Sequence, residues 1–240
     1  MGVFFSFMPV EAAIGYSSLS ELIQQYEREG RSLRVGIYIG TFDPPHLGHT
    51  QVAKSAIQQG LVDVILWIPN DNAHHKPQAT PFYLRYEMSR RLVESEPRIF
   101  LPDQTQGPAR SGRFVHDSLD QVDRLGRVRW FGLLGTDVLE KALEIYQDQI
   151  HWMGRAEQFL VNLREGHLVK FMPEDIHGKK VSSFHSQDGG LSSTAIRNWV
   201  KEGQLHQLQL HLSSEVAALV TAYQLWHPQR RSCRLVWLRP

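Results

Sequence analysis

At 240 residues, 42% apolar and 21% charged, the chain has the size and balance of a globular protein with one large domain. A formal net charge of +1 excludes a strong polyanion-binding field, so no nucleic-acid partner is expected. The single cysteine, Cys233, excludes a disulfide framework within the chain and fits a reducing, cytoplasmic setting, and no apolar run is long enough to span a bilayer.

The opening stretch, MGVFFSFMPVEAAIGY, is apolar but has no Lys or Arg ahead of its hydrophobic part, which argues against a secretory signal. Gly2 and Ser6 fit an N-myristoylation pattern; an added segment packing on the domain is the plainer alternative. Residues 17–30 (SSLSELIQQYEREG) read as a helix with a Ser-capped start, a stripe of Leu19, Leu22, Ile23 and Tyr26, and a closing Gly30. Residues 1–33 are therefore expected to be an extension added to the main domain.

The main domain, 34–226, alternates. Residues 35–39 (VGIYI) predict a buried strand, Gly40 and Thr41 a turn, and Pro44 and Pro45 a stiff loop. A helix begins at Leu47 and continues through 50–59, with His46 and His49 at its start. Strand 62–68 is followed by a polar loop, 69–80, and a helix over 83–94 with Leu84, Met88 and Leu92 on one face. A short strand at 98–101, a Gly/Pro loop at 103–112 and a helix at 114–125 come next. Strand 128–134 ends in Gly135-Thr136-Asp137; a helix at 138–146 and strands at 159–163 and 168–172 follow. Such alternation predicts an α/β fold, a Rossmann-like, doubly wound parallel sheet with ligands at the carboxyl ends of its strands. Loops 40–49, 69–77 and 135–137 should meet on that edge. From about 191 the pattern is helical only (195–202, 204–210, 213–225), a C-terminal helical subregion. The tail, 227–240, carries Arg230, Arg231, Arg234 and Arg239 and reads as a solvated or loosely docked end, with a homo-oligomer contact or an anionic-surface contact left open.

Two motifs carry chemistry. His46-Leu47-Gly48-His49 follows a buried strand and opens a helix, where unpaired backbone N–H groups and the positive dipole end favour a phosphate. Leu191-Ser192-Ser193-Thr194-Ala195-Ile196-Arg197 places hydroxyls at a second helix start, with an Arg one turn in that can pair with an anion held there. Capping alone would explain the hydroxyls; the co-occurrence of both motifs points instead to a triphosphate clamp.

G-T-F-D-P-P-H-x-G-H early and S-S-T-x-I-R late resemble the nucleotidyltransferase superfamily with the H-x-G-H signature. The spelling is most similar to the bacterial nicotinate-mononucleotide adenylyltransferases, from about Arg34 to Trp226. His75-Lys76-Pro77, Arg85 in the next helix, Gly107-Pro108 with Asp117-Ser118-Leu119, Gly135-Thr136-Asp137 and Arg164-Glu165-Gly166 extend the match. The resemblance implies transfer of AMP from ATP to a pyridine mononucleotide, with release of pyrophosphate. It implies His46, His49 and Arg197 as catalytic residues. ATP would be bound by Gly40, Thr41, Phe42, His46, His49, Gly135, Asp137, Ser193, Thr194 and Arg197. The acceptor would meet His75, Lys76, Arg85 and an aromatic, Tyr146 or Trp152. Mg²⁺ would come with ATP and need no protein side chain as ligand. Read alone, Asp137 also suits a helix cap, Lys76 a solvated loop, Asp43 an ordering role in its own loop, and Trp130 the core or a strand edge.

The chain departs from the family where the pyridine pocket is built. The Pro-x-Trp after G-x-D is replaced by Leu143-Glu144-Ile145-Tyr146, and the Ser-Tyr-Thr of the third loop by Gly112-Arg113-Phe114-Val115. ATP use is thus better marked than the acceptor. Nicotinate mononucleotide, nicotinamide mononucleotide and another phosphate-bearing acceptor remain open, as does a nucleotide-binding module without turnover.

Overall fold

The structure, a computed structural model, describes residues 16–71, 76–103, 113–136, 138–139, 152–163, 172–176, 178–187 and 190–227. The myristoylation pattern, His75, Gly107-Pro108, Asp137, Tyr146, Arg164-Glu165-Gly166, most of the 138–146 helix and nearly all of the 168–172 strand and the basic tail lie outside these.

The strands are β1 (Leu33–Gly40), β2 (Val64–Pro69), β3 (Ile99–Phe100), β4 (Val128–Gly135), β5 (Gln158–Leu163), β6 (Asp175–Ile176) and β7 (Lys179–His185). They form one sheet in the order β3-β2-β1-β4-β5-β7-β6, all neighbours parallel except β6, which runs antiparallel along β7. The chain leaves β1 toward β2 and β3 and returns to its other side at β4. That reversal is the switch point, where a crevice opens beyond the carboxyl ends of the strands.

Helices α1 (Tyr16–Arg28), α2 (Leu47–Gln58), α3 (Phe82–Val93), α4 (Phe114–Asp123), α5 (Ser193–Lys201), α6 (His206–His211) and α7 (Ser214–Ala222) cover both faces. Strand alternation sorts the core. Leu33, Val35, Ile37, Val64, Leu66 and Ile68 pack with α1 and α4, while Tyr38, Ile65 and Trp67 pack with α2, α3 and the C-terminal helices. Trp130 is core, as its sequence position suggested, and its indole N–H donates to Asp123 Oδ1 at 2.9 Å.

Two findings refine the sequence reading. The α1 helix is expected to be an addition, yet Leu19 and Ile23 are 0% exposed and share a core with β1, β2 and Trp130. Strands β6 and β7 were not foreseen. In β7, KKVSSFH buries only Phe184, so it lacks the apolar run that marks an inner strand. Among the described residues no helix is long and apolar enough to cross a membrane.

Candidate active site

The loop from Gly40 to His46 joins β1 to α2 at the switch point. A Cβ on Gly40 would lie 2.7 Å from the Phe42 ring, so glycine is what allows that ring to fold back under the loop. Phe42 has φ +47°, a strained backbone for a bulky residue. Its ring stacks on buried Trp67 (centroids 4.2 Å, 19°) and meets Tyr38 edge-on at 5.5 Å. The Asp43–Pro44 peptide is cis.

His46 is the N-cap of α2 and His49 is its third residue. This is the spacing of a capping box, with imidazole in place of the usual Glu. The His46 backbone N–H donates to His49 Nδ1 at 3.2 Å. Nδ1 is then an acceptor, which assigns the proton of the neutral ring to Nε2. His49 therefore carries an N–H donor at a helix N-terminus, and its ring is held edge-on by Phe42 at 5.0 Å. The His46 ring, 1% exposed, stacks on His49 at 3.6 Å. Both expected imidazoles thus stand together at one helix start.

The late motif reaches the same loop. Ser192 caps α5, accepting the Ala195 N–H at 3.2 Å. Ser193 Oγ donates to the Pro44 carbonyl at 2.9 Å, and Arg197 donates to the Asp43 carbonyl at 2.6 Å and to Thr194 Oγ1 at 3.0 Å. The N-termini of α2 and α5 therefore converge on residues 43–44, with Arg197 between them.

Asp43, whose sequence position suggested an ordering role in its own loop, also ties that loop to a distant segment. Its carboxylate, 4% exposed, accepts the Thr80 N–H at 3.2 Å, from the segment that enters α3. Arg85, expected at the acceptor, is 2% exposed; Nε donates to the Thr80 carbonyl at 2.8 Å and a terminal nitrogen to the Thr41 carbonyl at 2.7 Å. Burial lowers its pKa from the ordinary guanidinium value, and the nearby Asp43 and Asp71 carboxylates oppose that shift. Trp67 was not marked in the sequence as part of the site's support, and Asp43 was marked for its own loop alone.

The side where the sequence places the acceptor is built differently. Asn70 N–H donates to the Gly40 carbonyl at 2.8 Å, joining the ends of β1 and β2. An Asp71 carboxylate oxygen accepts the Phe114 N–H at the start of α4, at 3.4 Å. Phe82, Tyr86 and Phe114 form an aromatic group with centroids 5.2–6.0 Å apart. Lys76 is exposed. Trp152 lies against Phe159 at 6.4 Å, beside Gly132 in mid-β4, and so packs on the sheet. Gly135 ends β4 beside Asn162 of β5, and Thr136 is buried. Among the described residues no group of His, Cys, Asp and Glu is placed to hold a metal ion.

Comparison with known proteins agrees with this geometry. Residues 37–198 match the cytidylyltransferase-like family. A protein named as a probable nicotinate-nucleotide adenylyltransferase of Clostridium kluyveri is 30% identical over 186 residues, covering 72% of this chain and 89% of that protein. A namesake from Clostridium botulinum (strain Kyoto) is 28% identical over 69% of this chain and 86% of its own length. Among solved structures, the Plasmodium falciparum nicotinic acid mononucleotide adenylyltransferase complexed with NaAD superposes with a TM-score of 0.63. It is 19% identical and the match covers 81% of this chain and 97% of that one, a likeness of fold. The same enzyme complexed with APC gives 0.59 at 18% identity, over 81% and 97%.

Proposed function

The chain belongs to the cytidylyltransferase-like family, among its nicotinate-nucleotide adenylyltransferase members, and from that premise we propose that it joins AMP from ATP to a pyridine mononucleotide, a step of NAD biosynthesis. One observation carries the reading: the two helix N-termini bearing His49 and Arg197 meet on one loop, through the Ser193–Pro44 and Arg197–Asp43 bonds.

The acceptor's 5′-phosphate attacks the α-phosphorus of ATP. A P–O bond forms to the acceptor, the α–β bridging P–O bond breaks, and pyrophosphate leaves with the electron pair. The attacking phosphate has a second pKa of about 6 and is already ionised near neutral pH, so no general base is needed. Catalysis rests on positioning and on donors aimed where charge grows. His49 Nε2–H donates to the phosphoryl oxygens, with His46 stacked behind it. Arg197 and the backbone N–H groups at Ser193 and Thr194 hold the leaving pyrophosphate. Gly135 is assigned to the adenosine and Lys76 to the acceptor phosphate, and the resemblance adds Asp137 and His75 to those roles. Mg²⁺ would come with ATP as part of the substrate and would offset phosphate charge, with no protein side chain needed as ligand. The single cysteine supports a cytoplasmic setting.

Pyrophosphate release is the direct test. Incubation with ATP and Mg²⁺ plus nicotinate or nicotinamide mononucleotide is expected to release it with at least one acceptor. Release with neither overturns the proposal, and release only with another phosphate ester reassigns the acceptor.

A further inference from the structure

We infer that Arg85 is a positioning residue that imposes the shape of the triphosphate loop and locks it to the segment entering α3. The inference rests on the adenylyltransferase reading for its effect on rate, but its geometry stands independently.

Three carbonyls within residues 41–44 accept side-chain donors from elsewhere in the chain. Thr41 accepts from Arg85, Asp43 from Arg197 and Pro44 from Ser193. Phe42 lies between the first two, at φ +47°. A non-glycine residue keeps such a conformation only where its surroundings over-determine it. Arg85 holds the residue before Phe42, and Arg197 holds the residue after it. The Phe42 ring is in turn the edge-on support of His49. Freeing the Thr41 carbonyl lets the Phe42 backbone relax and carries the imidazole with it.

The second prong reaches the acceptor side. Both backbone groups of Thr80 belong to the same knot: its N–H goes to Asp43 and its carbonyl to Arg85. Residues 76–79 run directly into Thr80, and Lys76 is expected at the acceptor phosphate. One buried guanidinium therefore fixes the distance between the ATP loop and the acceptor loop. An in-line displacement needs that distance held, because misplacement of about 1 Å costs roughly 100-fold in rate. With two of its arms on backbone carbonyls and 2% of its surface exposed, Arg85 acts through the loops rather than on the acceptor.

The test compares Arg85→Gln, Arg85→Lys and a control, Arg90→Gln, on the outer face of the same helix. Steady-state pyrophosphate release is measured with varied mononucleotide, alongside backbone amide NMR shifts of residues 41–49. For Arg85→Gln we expect kcat to fall about 100-fold, acceptor KM to stay within about threefold, and the loop amides to shift. Arg85→Lys, keeping the charge and one reach, should recover to within about tenfold of the parent, and Arg90→Gln should match the parent. A raised acceptor KM at unchanged kcat overturns the proposal in favour of an acceptor contact. A lower Tm with unchanged kcat and unmoved loop amides overturns it in favour of simple bracing. If Arg85→Gln does not fold, Arg85→Lys is judged alone by the same split between kcat and KM. If the parent releases no pyrophosphate, the functional reading fails, and the loop amides alone decide the positioning role.

Discussion

The loops after β1 and β2 leave the same edge of the sheet, yet they are held by different forces. In the first, carbonyls at 41, 43 and 44 are fixed by directional bonds from α3 and α5. In the second, a carboxylate sits on the start of α4 and three aromatic rings pack beside it. Under the proposed function, the difference follows the chemistry each side would do. Phosphate charge is met by donors whose direction must not vary, and preorganised donors lose no free energy to reorganisation during reaction. A ring-bearing acceptor is met by shape, which aromatic packing supplies and which changes more freely. Substitutions in the first region should therefore change rate, and those in the second should change acceptor use.

His49→Ala should show the largest effect. Removing one preorganised donor is expected to cost about 10²–10³-fold in kcat, and because the ring also accepts the His46 N–H, about 1 kcal/mol of stability. Unchanged kcat would place the catalytic donor elsewhere and dissolve the contrast. Phe42→Ala comes next. It removes the ring stacked on Trp67, and a large buried aromatic lost to Ala costs about 3 kcal/mol. Because the same ring supports His49, kcat of the folded fraction should fall too. Denaturant melts combined with pyrophosphate assays check both, and a stability loss with unchanged kcat would make the ring mere packing.

Much of the first region was legible in the sequence, for a physical reason. A strand, a Gly/Pro loop and a helix start leave local marks, and the His46–His49 spacing is that of a capping box. The paired helix starts at 46 and 192 were visible because caps are made by adjacent residues. What could not be read is where long side chains end. Asp43 meets Thr80, 37 positions away, and Arg85 reaches Thr41 across 44. Periodicity shows that Leu84 and Met88 face inward; it does not show that Arg85 turns inward beside them. The α1 helix showed its apolar stripe, but a stripe does not name the surface it covers, and only the fold puts Leu19 and Ile23 against β1. Strand β7 escaped because it buries only Phe184 and so carries no apolar run to mark it.

Asp71→Ala sharpens the acceptor side. It takes away the carboxylate that receives the first N–H of α4, and loss of such a cap costs about 1 kcal/mol. KM for ATP should hold while KM for the mononucleotide moves. A change confined to ATP would mean that the two loops are not separate in function.

The smallest effect lies on the outer face of α3 and sets exposed guanidiniums against buried Arg85 on one helix. Hydrogen bonds from Arg90, with Arg91 adding to them, hold the Glu87 carboxyl down to about 2 from its ordinary 4.5. A group depressed in the folded state stabilises fully above its unfolded value and loses that contribution as pH falls toward the folded value. The Glu87 contribution is therefore present at pH 7 and fades as pH drops from about 4.5 to about 2. All three side chains are about a third or more exposed, so solvent screening limits the pairs to under about 1 kcal/mol. Glu87→Gln should lower stability by that small amount at pH 7, lower it less at pH 3, and leave kcat unchanged. Urea melts at the two pH values measure it. An equal loss at both would mean that Glu87 acts by packing rather than by charge. A fall in kcat would show that the outer face of α3 reaches the site as Arg85 does, and that burial is not what separates them.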